Sequence, residues 1–151
     1  MTNIEIADLY QRDIAKLVAE IEKFQEESNL WKTIGAITNS SGNLALHILG
    51  GLNFHIGTTL AKTGYERNRD QEFMIKDVPK ALLVAQLNEL ARLIRQTIVS
   101  ITNEQINEPF PRFFDKENAT TGYVLTQLLL HLNYHTGQVN YLRRALEARP
   151  A

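Results

Sequence analysis

The chain has 151 residues and no cysteine, and its 16 basic against 17 acidic side chains leave a net charge of −1. Hydrophobic residues at 44% and charged residues at 22% are the proportions of an ordinary globular protein, which excludes a disordered or fibrous chain. The missing thiols exclude a disulfide framework, thiolate metal sites and catalysis by a cysteine of its own, so any metal must be held by nitrogen and oxygen. The length suits one domain over residues 1–151. No basic stripe is concentrated enough to neutralise phosphates, so nucleic acid is not expected as the main partner.

In chain order, Met1 to Asp13 carries Glu5, Asp8, Arg12 and Asp13, unlike a basic leader followed by an apolar segment, and the expected location is cytoplasmic. A first helix is predicted over Thr2 to Ser28. Thr2 and Glu5 form a capping-box pattern, and Ile6, Leu9, Ile14, Leu17, Ile21 and Phe24 recur at helical spacing. Ser40 and Ser41 offer a cap for a second helix over Ser41 to Thr63, with Gly64 suited to the left-handed position behind it. The segment Tyr65 to Lys76 reads as a loop.

Asp77 and Pro79 mark the start of a third helix, Val78 to Thr102, whose stripe is Leu83, Leu87, Leu90, Ile94, Ile98 and Ile101. Pro109 and Pro111 bracket a connection, and Thr120 or Thr121 opens a fourth helix reaching Ala148. The fold class is therefore all-α, a four-helix bundle. Two stretches, Thr33 to Ala61 and Asn118 to Leu142, hold no charge, yet their Asn, Ser, Thr, Gln, Gly and His content argues against a bilayer span.

All four histidines lie on the second and fourth helices: His47 and His55 on one, His131 and His135 on the other. The spacing of His131 and His135 places both rings on one face, one turn apart, as in helical zinc sites. Val124, Leu128, Gln138 and Leu142 fall within about 60° of His131, so both imidazoles are expected to look inward. Two buried histidines are often only hydrogen-bonded core residues. A third on another charge-free helix favours a metal, because three imidazoles without an ion would need partners for six ring nitrogens.

His47 and His55 stand about 12 Å apart along their helix, so only one can join the pair. Periodicity points to His55, whose side the stripe Leu44, Ile48, Leu52 and Ile56 passes more closely. Other metal chemistries fail on residue identity. In His131-Leu132-Asn133-Tyr134-His135, Leu132 stands where a metalloprotease carries its glutamate, and no Glu-x-x-His pair exists for a di-iron site. Gly50-Gly51 reads as a place of close helix approach.

The run Leu130-His131-Leu132-Asn133-Tyr134-His135-Thr136-Gly137-Gln138 with Tyr141-Leu142-Arg143 resembles the end of the DinB/YfiT-like proteins. Ser41-Gly42-Asn43-Leu44 ahead of His47 resembles that family's first metal-histidine segment. Gly64 to Asp70 with Glu72-Phe73 is similar to an uncharacterised branch, and the likeness spans nearly the whole chain.

The resemblance implies an up-down-down-up bundle, often a homodimer, holding a divalent ion such as zinc or nickel on His47, His131 and His135 and leaving His55 out. It further implies a metal-dependent transferase that activates a low-molecular-weight thiol, consistent with a chain that has no thiol of its own. The alternatives are a metal-dependent hydrolase, for which no Glu or Asp is visible beside the histidines, and a non-catalytic stress-response or dimerisation bundle. Gln138, Asn53, Tyr134 and Tyr141 are the polar candidates for supporting contacts. Arg67 and Arg69 read as a solvated loop paired with Glu66, Asp70 and Glu72, or as a grip on an anionic cosubstrate should that loop fold over the bundle mouth.

Overall fold

Thr2 opens the first helix as the sequence requires: its hydroxyl accepts from the Glu5 amide while the Glu5 carboxylate takes the Thr2 amide, a complete capping box. In the computed structural model, which describes residues 1–114 and 116–147, this helix is α1, Asn3–Glu22. Ile6, Ile14, Leu17 and Ile21 bury its inner face, and Phe24 closes the end. A short 3₁₀ segment, Glu27–Trp31, follows.

The Ser40 hydroxyl caps α2, Ser41–Leu52, which runs directly into a π-helical turn over Asn53–Thr58. Where one helix to Thr63 was expected, wider hydrogen bonds such as Thr59 N–H to Phe54 C=O therefore replace the α pattern near its end. Gly64 adopts a φ of 76°, the left-handed conformation expected of it. The expected loop Tyr65 to Lys76 contains a short helix, α3, Arg69–Met74, capped by Asn68. Then come α4, Lys80–Ser100, a short α5, Asn103–Asn107, and the long α6, Thr121–Leu146, capped by Thr120. The expected end at Ala148 lies outside the described residues.

Pairings between distant residues fix the directions of the four long helices. Asn3 at the start of α1 donates to Val99 and Ile101 carbonyls at the end of α4, and Lys80 donates to Phe24, so these two are antiparallel. Tyr10 bonds to Leu125, Asp13 to Asn133 and Glu20 to Arg143, so α1 and α6 run parallel. Leu44 lies near Leu142 and Leu52 near Leu128, which makes α2 antiparallel to α6. The bundle is therefore up-down-down-up, with one shared apolar core. No helix among the described residues is long and apolar enough to cross a membrane.

Candidate metal centre

The face of α6 that enters the core is centred on Leu125, Leu132, Thr136 and Val139, all buried. At 100° per residue, His135 sits about 60° and His131 about 100° from Leu132, so the pair occupies the flank of the buried stripe and not its centre. The expectation that both rings look inward is corrected accordingly: His131 is exposed and His135 half-buried, on the side facing α2. From α2, the buried His47 completes the group. Its Nε2 lies 3.3 Å from His131 Nε2, which is 3.0 Å from His135 Nε2.

His47, not His55, stands beside the pair. The periodicity that points to His55 is thereby corrected, because α2 is buried almost all round and its stripe selects no side; of Ser41–Leu52 only Leu46 is partly accessible. His55 instead packs its ring 5.3 Å from Phe113 and 5.1 Å from Phe54.

Each of two rings has its outer nitrogen held by an acceptor. The Nδ1–H of His47 donates to Glu72 Oε1 at 2.9 Å, and that of His135 donates to Gln138 Oε1 at 2.6 Å. A carboxylate or amide oxygen can only accept, so both rings carry their proton on Nδ1 and direct the Nε2 lone pair toward His131. Burial, opposed by Glu72, holds the His47 pKa below its usual range; burial and the neighbouring imidazoles push His131 to about 4, and burial lowers His135. All three are neutral near pH 7.

Glu72 went unrecognised as a neighbour of the histidines, yet it is only 6% exposed. Arg67 grips it from the other side, with Nε donating to Oε2 and Nη2 to Oε1, both at 2.8 Å. The charged run is thus paired as expected for Arg67, but inside the protein. The Asn43 side-chain amide seals the arrangement by donating to the Glu72 and Ile75 carbonyls at 2.9 and 2.8 Å, which docks α3 on α2. Gly50 makes room: a Cβ built there would lie 1.8 Å from Glu72 Oε2. This glycine, one turn beyond His47, was the available signal that another segment approaches α2.

Of the other polar candidates, Gln138 touches the centre. Asn53 does not; its amide donates to the Leu49 carbonyl within its own helix. Tyr134 is 66% exposed and sets its ring edge 5.3 Å from that of His135, while Tyr141 lies under Arg144.

The family model described as "Protein of unknown function (DUF1572)" matches residues 4–150. The chain belongs to the DUF1572 family. DUF1572 is a family of DinB-like fold. A crystal structure of a conserved protein from Enterococcus faecalis superimposes with a TM-score of 0.74 over 95% of this chain and 96% of that one, at 15% identity. At that identity the likeness shows the fold alone. No curated protein sequence matches this DUF1572 chain.

Proposed function

We propose that this protein holds a divalent metal ion, zinc or nickel, on His47, His131 and His135, and that the centre serves transfer reactions of a small-molecule thiol. The carrying observation is the convergence of three neutral imidazoles whose Nε2 atoms lie 3.0 and 3.3 Å apart in sequence. Two of those nitrogens are lone-pair acceptors, and a single N–H on His131 cannot serve both well; a cation satisfies all three. Such an ion would supply Lewis acidity that lets a thiol ionise near neutral pH.

The chain's own residues supply positioning. Glu72 and Gln138 hold the His47 and His135 rings in the tautomer that ligates, and Arg67 holds Glu72 in place with two N–H groups. Among the described residues, the carboxylate that reaches the histidines is behind His47 and tied to a guanidinium, which suits it to orient a ligand and not to move protons on the open side. That favours thiol transfer over hydrolysis, which needs a base facing the attacking water.

Metal analysis of untagged protein tests the reading. About one equivalent of transition metal is expected, with loss in His135→Ala; a content near zero after loading with zinc and nickel overturns it. Incubation with an alkylating electrophile then separates the chemistries, because turnover independent of added thiol defeats the transferase.

A further inference from the structure

A cavity of about 280 Å³ opens beside the three imidazoles, with His47 and His131 in its wall. It runs along α2 toward His55, about 12 Å further by helical rise. That volume is at the lower edge of small-molecule sites, roughly 300–1,000 Å³, and fits a compact ligand better than a nucleotide. The sides are apolar and flat: Leu52, Leu128, Phe113 and Phe114. Phe114 is 69% exposed at a φ of 49°, a left-handed backbone unusual for a bulky residue. The turn that sets this conformation is closed by the Lys116 N–H donating to the Phe113 carbonyl at 3.1 Å, and it lays the Phe114 ring 4.8 Å from Phe113 and 5.8 Å from His55, so one face of the ring lines the cavity mouth.

Two polar groups in the wall have no hydrogen-bond or ion-pair partner among the described residues. Arg69 has no carboxylate among the described residues; its guanidinium lies 5.4 Å over the Phe73 ring, which is itself 4.9 Å from the His47 ring. Arg67, by contrast, is committed to Glu72. His55 is 6% exposed, and its Nδ1 is sealed from solvent with no hydrogen-bond partner among the described residues. An unpaired buried nitrogen costs least as a bare acceptor, which leaves the ring proton on Nε2 as a donor.

The geometry points to a binding site for an amphipathic organic anion. Its flat apolar or aromatic body lies against Phe113, Phe114 and Leu128, its anionic group meets Arg69, and a polar substituent meets His55. Carboxylate and sulfonate share the required chemistry: a planar or compact anion that a guanidinium can grip beside a ring. Burial and the Arg67 charge push the His55 pKa down to about 4, so His55 adds no second positive charge. This site rests on the metal-centred reading, in which its occupant is the electrophilic partner of the thiol, and places that partner's reactive end next to His47 and His131.

The test measures binding of 2-naphthoate and of its neutral counterpart 2-naphthamide by calorimetry, on zinc-loaded and on chelator-stripped protein. Saturable naphthoate binding at least tenfold tighter than that of the amide is expected in both forms. Arg69→Gln should erase the difference between acid and amide, and Phe114→Ala should weaken both several-fold; both side chains are exposed, so folding is retained. Equal affinities for acid and amide, no saturable binding, or a preference untouched by Arg69→Gln overturns the site. Naphthoate binding that survives Arg69→Gln but vanishes in His135→Ala assigns the carboxylate to the metal and also overturns it. If zinc fails to bind while the Arg69-dependent preference persists, the metal reading falls and the anion site stands.

Discussion

Glu72 Oε1 lies 2.9 Å from His47 Nδ1, and the same carboxylate receives two N–H groups from Arg67. Removing the charge while keeping the shape, Glu72→Gln leaves an acceptor for His47 but gives Arg67 nothing ionic to hold. Outer partners of this kind are worth about 10–100-fold in metal affinity. Competition against a fluorescent zinc chelator should show a loss in that range, with near-unchanged circular dichroism.

Gly50→Ala should act on the same contact from the opposite side. Alanine is the better helix former by about 0.8–1 kcal/mol. Its Cβ would nonetheless meet Glu72 Oε2 at 1.8 Å, and overpacking of that sort costs about 1–3 kcal/mol. Net destabilisation and weakened zinc binding are expected together. Gly137 is the control: no atom lies within 4 Å of its built Cβ, so Gly137→Ala should raise stability by about 0.5–1 kcal/mol and leave zinc binding alone.

Zinc should raise the thermal midpoint, because an ion that binds only the folded state adds about 2.7 kcal/mol at a hundredfold excess over Kd. His135→Ala should abolish the shift and His55→Ala should preserve it. A shift lost only in the His55 variant would return the third ligand to the position that periodicity favoured.

Stability of the metal-free protein should fall as the pH drops from about 6.5 to 4. His55 titrates near 6.5 when unfolded and is pushed to about 4 by burial and then by Arg67, so across this window the unfolded chain binds the extra proton. The effect saturates at about 3 kcal/mol for this residue. Chemical denaturation at pH 7 and pH 4.5 should show a smaller difference in His55→Leu. Below that window, protonation of the paired carboxylates Asp13 and Glu20, whose pKa values are held down by hydrogen bonds and ion pairs that outweigh burial, removes further stability.

The caps and stripes that announce helices are local, and they were legible: Thr2, Ser40 and Thr120 each cap the helix they precede. The His131–His135 pair was legible for the same reason, being one turn of one helix. What local patterns could not convey was the choice of His47, since a helix buried all round has no preferred apolar side to read. Asn53 looked suitable by proximity along the chain, yet a helical Asn satisfies itself on the carbonyl four residues back. Glu72 was hidden because charged runs are solvated by default, and only tertiary docking of α3 through Asn43 puts this one indoors.

That docking has a thermodynamic corollary. One imidazole of the three owes its orientation to a stretch of chain 25 residues downstream, so on the proposed metal centre seating that stretch and capturing an ion would be reciprocal events. Whatever frays the stretch would then loosen the ion, and added ion is expected in turn to slow amide exchange along Arg69–Met74.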